Sequence, residues 1–210
     1  MVNQQVPKKN TPVSEAELTR SFMDAARELF DVQLTKPQLA ILVAQNNLET
    51  GGRKAMWNYN IGNITHASDT FDYFMGGDKT KDKTGKWVPT TLKFRAYPTL
   101  IDGVKDYLNN LHRRGAGGVW NSILKADPVA FSKALKSTKY YEADEKDYSR
   151  GMVAGVKAFN EKTSYEDAVS GNFPTTPVAK APDGMMGKID QLLNHFLKSV
   201  AEMQQTNLRK

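Results

Sequence analysis

Apolar residues early in the chain recur at intervals of three and four positions: Leu18, Phe22, Ala25, Ala26 and Leu29. This spacing places them on one face of a helix. Ser14, with Glu17 three positions later, forms the capping-box pattern that precedes such a face. The pattern predicts an amphipathic helix that begins next to Ser14.

The run from residue 39 to residue 44, LAILVA, is apolar on all sides. Thr35 and Gln38 repeat the capping pattern before it, and the glycine pair 51–52 follows it. A helix that is apolar all round is a buried one, and glycine is the usual residue just past a helix end. The pattern predicts a core helix whose last turn carries Glu49.

Aromatic and β-branched residues are concentrated in two segments, 69–75 and 86–95, on either side of the polar string GGDKTKDKTG. This arrangement predicts a β-hairpin with a long tip, in which Pro89 marks an edge position or a bulge. Capping residues and apolar spacing then predict helices that begin after Thr99, at residue 119, after Asp127 and near Asp144.

The composition changes again near the end of the chain. Residues 170–184 carry three prolines and small polar residues, which is typical of an extended linker. The apolar residues of 185–206 lie three and four positions apart and predict a lone amphipathic helix. The predicted organisation is a flexible lead (1–13), a folded domain (14–168), a proline-rich linker (169–184) and this helix. The predicted fold class is α+β, mainly α, with a small β-hairpin lobe.

The composition of the chain limits which partners and which kinds of catalytic site are possible. The chain has 210 residues, 29 basic and 23 acidic, so its formal charge is 29 − 23 = +6. That excess favours an anionic partner such as nucleic acid, a membrane surface or a cell wall, and the scattered basic residues argue against nucleic acid.

No cysteine is present, which excludes disulfides, a Cys nucleophile and Cys-based zinc sites. His66, His112 and His195 have no partner at metal-ligand spacing, so neither a metal nor a cofactor is predicted.

The position of Glu49 at the end of the predicted core helix makes it a candidate general acid. A carboxyl group at the end of a buried helix is half-desolvated and lies near the negative end of the helix dipole, and both effects raise its pKa. A carboxylic acid of raised pKa is what protonates a glycosidic oxygen near neutral pH. The alternative is an exposed glutamate near a helix end.

Four ordered blocks carry a family resemblance: ILVAQNNLETGG at 41–52, NYNIGNI at 58–64, FRAYPTLIDGVKDYLNNL at 94–111 and KYYEADEKDY at 139–148. Together they resemble the flagellar-type N-acetylglucosaminidases, a lysozyme-like family of peptidoglycan hydrolases. Three departures from the family pattern are Thr50 for serine, Ile61 for phenylalanine and Tyr140-Tyr141 for Gly-Tyr. The resemblance implies a lysozyme-like fold and a glycosidase that cleaves the β-1,4 glycan backbone.

The resemblance also implies site residues. Glu49 matches the family's catalytic acid, and Asp72, in TFDY, matches a second carboxylate that is Glu in the family. Asp69 is the neighbouring alternative to Asp72, and a third possibility is that the 2-acetamido group of the substrate replaces the second carboxylate. Of the paired tyrosines, Tyr141 is favoured as the catalytic one. The implied substrate-binding residues are Trp57, Tyr59, Asn60, Asn63 and Tyr140.

Other functions are compatible with the same residues. They are a lytic transglycosylase or muramidase on this fold, and a non-catalytic wall-binding or virion structural module. The C-terminal helix at 185–206 is typical of docking to a protein partner, self-association or membrane contact, with folding back onto the domain as the alternative.

Because no apolar leader is present, we expect synthesis in the cytoplasm without a signal peptide. We also expect action on the bacterial wall, in a phage virion or at host lysis.

Overall fold

The computed structural model describes residues 3–66 and 70–173, all of which belong to one unit that spans Met1–Pro177. The helices are α1 (Glu15–Phe30), α2 (Lys36–Thr50), α3 (Leu100–Arg113), α4 (Val119–Leu124), α5 (Pro128–Ser137), α6 (Glu145–Asn160) and α7 (Ser164–Ser170). Strands β1 (Asp72–Lys81) and β2 (Trp87–Ala96) form an antiparallel hairpin, and a 3₁₀ turn (Arg114–Gly117) follows α3. The predicted mainly helical α+β class is confirmed. The predicted helix at 185–206 lies outside the described residues.

The helix starts are where local capping chemistry predicts them. The side chains of Ser14, Thr99 and Asp127 accept hydrogen bonds from main-chain N–H groups one turn into α1, α3 and α5. Thr35 and Gln38 form the predicted capping box of α2. Because each cap satisfies donors that the first turn cannot pair internally, these starts are fixed by a few neighbouring residues.

Helix α2 forms the centre of the core. All six residues from Leu39 to Ala44 are fully buried, and α2 packs against α6 and α1. Large buried side chains from other helices complete the core, among them Phe22, Tyr107 and Phe131. Full burial of one such side chain contributes about 1.5–3 kcal/mol to stability. The buried surroundings of α2 fix the position of its last turn.

The hairpin is longer and its turn tighter than the sequence predicts. Asp72 pairs with Ala96 at the base and Lys81 with Trp87 at the tip, and Asp82 then closes the turn by accepting N–H groups of residues 84 and 86. The predicted loop, residues 76–85, therefore supplies six of the ten residues of β1. Its glycine at position 76 is typical of a loop, but a Cβ there would lie 2.8 Å from the ring of Phe94. Gly76 is a strand residue covered by an aromatic ring.

The segment predicted as a flexible lead is hydrogen-bonded to the domain from residue 4 onward. Val6 N–H donates to Tyr73 O at 2.8 Å and Tyr73 N–H donates to Gln4 O at 3.0 Å, so residues 4–6 pair with the outer edge of β1. Further along, Thr11 N–H donates to Met56 O at 3.0 Å. The physical reason is that the main chain of an edge strand presents unpaired polar groups, which this segment satisfies.

The folded domain also extends past the predicted boundary at residue 168. Helix α7 runs to Ser170 and ends at Gly171, which has the left-handed φ of 70°. Ala168 is fully buried, and Ser164 Oγ donates to Glu15 Oε1 at 2.8 Å, so α7 is fastened to the start of α1. The first residues of the predicted linker are thus helical.

Candidate active site

Glu49 lies in the last turn of α2, where the buried helix meets the surface. Gly51 ends the helix with φ 58°, and the Thr50 side chain is fully buried, whereas Leu48 is exposed. Glu49 itself is half-buried. The sequence therefore places one carboxyl group at the boundary between the core and the solvent.

Two donors reach the same oxygen of Glu49. Gln45 Nε2 donates to Oε1 at 3.2 Å, and Tyr148 Oη donates to Oε1 at 3.0 Å. Burial raises the pKa of Glu49 from its usual 4.5 to about 7, and these two hydrogen bonds partly offset the rise. Desolvation is the largest contribution, because burial disfavours the charged form of the carboxyl group more than the two donors favour it. The predicted elevation of the pKa is confirmed, and burial is its main cause.

Tyr148 reaches Glu49 because α6 lies unusually close to α2. A Cβ at Gly155 would lie 2.8 Å from Cβ of Ala44, and a Cβ at Gly151 would lie 3.0 Å from Cδ2 of Leu48. The two glycines follow Tyr148 at intervals of three and four, on one face of α6. Their missing side chains let the tyrosine of the first turn approach the carboxyl group.

Tyr141 lies behind Tyr148 rather than against Glu49. The two rings are stacked, with centroids 3.8 Å apart and planes 7° apart. Tyr141 Oη donates to Ser132 O at 3.1 Å, and Lys136 Nζ lies 5.1 Å from the centroid of its ring. The structure thus links Tyr141 to the acid through Tyr148, and a direct catalytic role for Tyr141 remains a prediction.

Two asparagines of the loop after α2 hold it in place through hydrogen bonds to main-chain groups, one of them at Glu49. Asn63 Nδ2 donates to the main-chain oxygen of Glu49. Asn60, almost fully buried, donates to Ile64 O at 2.9 Å and to Arg95 O at 3.0 Å, and accepts from Ile64 N at 2.8 Å. Both residues hold the main chain, and their predicted contact with substrate remains a prediction.

Three other predicted substrate-binding residues flank this loop. Tyr140 Oη donates to Gly62 O at 2.8 Å. Trp57 is half-buried, with Lys8 Nζ 4.1 Å from the centroid of its ring. Tyr59 is half-buried and has the left-handed φ of 53°. All three side chains are half-buried, and a partly exposed aromatic ring is the kind of surface on which a sugar ring packs.

Asp72 begins β1 and is turned toward the N-terminal segment. Its Oδ1 accepts the N–H of Gln4 at 3.0 Å, and it shares no hydrogen bond with Glu49. Its role as second carboxylate remains a prediction. Asp69, the neighbouring alternative, lies outside the described residues.

Sequence reasoning missed three residues that the structure brings to the acid: Gln45, Tyr107 and Tyr148. Tyr148 ends the sequence block KYYEADEKDY, and Gln45 lies in the block ILVAQNNLETGG, but the sequence predicts a site role for neither. Their signal was faint but present, because Gln45 precedes Glu49 by four positions and so shares its helix face. The Tyr148 contact spans 99 positions, and no local pattern encodes it.

The described residues contain no group of three or more His, Asp or Glu side chains arranged to hold a metal ion. Within the same ranges, 3–66 and 70–173, no helix has the length and apolar character needed to cross a bilayer.

Solved structures with this fold include a peptidoglycan hydrolase mutant from Sphingomonas sp. A1. That chain is 21% identical, and the match covers 75% of this chain and 99% of that one with a TM-score of 0.54. The catalytic domain of the autolysin Auto from Listeria monocytogenes is 15% identical over 75% of this chain and 89% of that one, with a TM-score of 0.52. The truncated glycoside hydrolase domain of FlgJ from Salmonella typhimurium is 15% identical over 70% and 95%, with a TM-score of 0.49. No protein-family model and no curated protein sequence matches the chain.

The likenesses to the Sphingomonas and Listeria structures establish the fold. The described domain has the mainly helical architecture, with one β-hairpin, of the Sphingomonas peptidoglycan hydrolase and the Listeria autolysin domain. The finding agrees with the family resemblance carried by the four sequence blocks.

Proposed function

We propose that this chain is a peptidoglycan hydrolase that cleaves the β-1,4 glycan backbone, of the N-acetylglucosaminidase type, with Glu49 as general acid. The observation that carries the proposal is the state of Glu49: a half-buried carboxyl group whose pKa is raised to about 7, held by two donors at a helix end. The fold shared with wall hydrolases supplies the substrate class. The formal charge of +6 suits a polyanionic wall.

The chemistry follows from the protonation state of Glu49. Near pH 7 about half of the molecules carry the proton. Transfer of that proton to the bridging oxygen lets the sugar leave as the bond to its anomeric carbon breaks. The carboxylate that remains accepts the hydrogen bonds of Gln45 and Tyr148. Water then completes hydrolysis in one of two ways. Asp72 activates it, or the 2-acetamido group of the substrate first attacks the anomeric carbon as nucleophile and water opens that intermediate.

The test is a turbidity assay on purified cell walls with Glu49→Gln. We expect activity to fall on the order of 10²–10⁴-fold, the usual contribution of a general acid. Glu161→Gln, at the exposed end of α6, is the matched control and should keep wild-type activity. Wild-type activity should also decline as pH rises above about 7, where the acid is lost. Full activity of Glu49→Gln would refute the proposal.

A lytic transglycosylase or muramidase is the second candidate, favoured by one observation. Asp72, the predicted second carboxylate, accepts the N–H of Gln4 through Oδ1 and is thus already engaged by the N-terminal segment. A single glutamate that acts first as acid and then as base leaves an anhydro sugar. Mass spectrometry of the released muropeptides separates that product from a hydrolytic one by one water, and the reducing-end sugar identifies the bond.

A further inference from the structure

The two oxygens of Glu49 have different surroundings. Oε1 accepts two hydrogen bonds, from Gln45 Nε2 and Tyr148 Oη, whereas Oε2 receives none from the side chains and main chain of the described residues. Each carboxylate oxygen has two strong acceptor positions. With both positions on Oε1 filled by donors, a proton on Oε1 would displace one of them. The proton of the neutral acid therefore belongs on Oε2.

The orientation of the Gln45 amide decides whether this asymmetry holds. A glutamine side chain presents NH₂ on one side and oxygen on the other, and a half-turn exchanges them. Gln45 is fully buried, and its Oε1 accepts the hydroxyl of Tyr107 while its Nε2 donates to Glu49. A hydroxyl can donate or accept, but a turned amide would take from the buried Tyr107 proton the acceptor that it has in this structure. The observed orientation, with the Gln45 donor toward Glu49, is therefore the favoured one.

Tyr107 is itself held in one position. It is fully buried and contacts the ring of Phe22, with centroids 5.9 Å apart. A Cβ at Gly62 would lie 2.5 Å from its Cδ2, so the loop beneath the acid closes directly over the ring. Phe22 and the Gly62 loop thus pack against the ring that carries the hydroxyl.

We propose that Gln45 and Tyr107 are positioning residues that keep the transferable proton of Glu49 on Oε2, the oxygen left open for the glycosidic oxygen. This inference rests on the proposed function. In the reaction, the proton leaves Oε2 as the glycosidic bond breaks, and the electron pair of the broken O–H bond stays on the carboxylate. The Gln45 N–H and the Tyr148 O–H then stabilise that charge on Oε1.

Tyr107→Phe removes the hydroxyl and keeps the ring. The Gln45 amide is then free to turn its oxygen toward Glu49, and a proton on Oε1 can bridge the two oxygens. We expect kcat to fall about 10-fold or more with little change in KM, because a proton that faces the interior cannot reach the substrate. The alkaline limb of the pH profile should move to higher pH, because the carboxylate loses a donor. Tyr140 and Tyr148, the other titratable groups that face Glu49, have pKa values raised by burial and stay neutral across this range.

The experiment compares Tyr107→Phe and Gln45→Met with Tyr97→Phe. Tyr97 is also buried, and its hydroxyl donates to Asp106 at 2.5 Å, so it controls for the loss of a buried phenol. The readouts are pH profiles of wall hydrolysis and a ¹³C NMR titration of the Glu49 carboxyl carbon, assigned by its absence in Glu49→Gln. The two test variants should titrate higher than wild type, and Tyr97→Phe should not.

The inference would be overturned if a folded Tyr107→Phe variant had the same Glu49 titration curve and the same pH profile of wall hydrolysis as the wild type. If Tyr107→Phe does not fold, the decision falls to Gln45→Met, which removes the same donor with a side chain of similar length. The NMR titration needs no substrate. A protein without hydrolytic activity would therefore refute the proposed function while the titration still tests the hydrogen-bond arrangement.

Discussion

Glu49 illustrates how burial prepares one carboxyl group for acid chemistry at a cost to stability. Its pKa is about 7 in the folded protein, against a usual 4.5. Below pH 4.5 the group is protonated in both the folded and the unfolded chain. As pH rises from 4.5 to 7, the unfolded chain loses the proton first, so the free energy of unfolding decreases across this window.

Replacing Glu49 with glutamine should therefore stabilise the protein in a pH-dependent way. A difference of 2.5 pKa units corresponds to about 3 kcal/mol. We expect urea unfolding to show Glu49→Gln more stable relative to wild type at pH 8 than at pH 4.5, by roughly that amount. Glu161→Gln provides the baseline, since its carboxyl group is exposed on α6. An effect of the Glu49 substitution that is independent of pH would contradict the raised pKa.

Tyr148 donates its hydroxyl to Glu49, and in the proposed mechanism that bond stabilises the carboxylate left after proton transfer. Tyr148→Phe should lower kcat about 10- to 150-fold, because one charge-assisted hydrogen bond of about 1.5–3 kcal/mol is lost. Steady-state assays on solubilised glycan strands would measure it. Tyr165→Phe is the matched control: its ring is half-buried on α7, away from Glu49. An equal loss of kcat in the two variants would show that Tyr148 contributes only through packing.

The acid itself could be predicted from the sequence, whereas its partners could not. The run of apolar residues that ends at a glycine pair places Glu49 at a helix end, and local physics then raises its pKa. No pattern in the residues around Tyr148 indicates that it contacts Glu49. A tyrosine on an apolar helix face is equally suited to the core, and only the packing of α6 on α2 brings its hydroxyl to the acid.

At the scale of elements, the close approach of α2 and α6 depends on Gly155. Alanine there would place a Cβ 2.8 Å from Cβ and 3.2 Å from Cα of Ala44, so a helix has to shift. We expect Gly155→Ala to destabilise the domain by about 1–3 kcal/mol and to lower activity, because Tyr148 moves with α6. Thermal unfolding and turbidity assays measure the two effects.

Gly151→Ala provides the control on the same helix. Its nearest neighbour is Cδ2 of Leu48 at 3.0 Å, the end of a flexible and exposed side chain that can move aside. Alanine is favoured over glycine inside a helix by about 1 kcal/mol, so this variant should be neutral or slightly more stable. Combining Gly155→Ala with Ala44→Gly should recover part of the lost stability. Loss of stability in Gly151→Ala equal to that in Gly155→Ala would contradict the assignment.

Helices and hairpin differed in how well the sequence predicted them, for a physical reason. Helix starts are set by side chains within three or four positions, such as Ser14 and Thr99, and these predictions are confirmed. The extent of a hairpin depends on cross-strand partners. The string GGDKTK reads as a turn, and only the facing β2 residues, with Phe94 over Gly76, make it a strand.

At the scale of the molecule, the N-terminal segment joins the hairpin to the helical body. Residues 4–6 bond to β1, Lys9 N–H donates to Asn58 Oδ1 at 2.9 Å, and Thr11 bonds to Met56. Composition predicted a flexible lead because the segment is polar and carries prolines. The bonds that fix it are made by the main chain, which composition does not describe.

Removal of residues 1–6 should destabilise the hairpin more than the helices. Two or three main-chain hydrogen bonds are lost, at about 1 kcal/mol each. Hydrogen exchange should accelerate in β1 and β2 and stay unchanged in α2. The double variant Gln4→Ala, Gln5→Ala keeps the main-chain bonds and should exchange like wild type. Uniform acceleration throughout the domain would show that the segment supports the whole fold instead.

The bonds at the base of the hairpin have a consequence for self-association. A two-stranded sheet has two open edges on which a second chain can add a strand. Here residues 4–6 close the β1 edge at Tyr73, and the 64–66 segment closes the β2 edge through Arg95 N–H to Ile64 O at 3.0 Å. Both edges are therefore paired at the base of the hairpin, and the string KTKDKTGK beyond it carries four lysines. Lysines on an edge disfavour the addition of a strand from a second copy, so both ends of the hairpin oppose self-association.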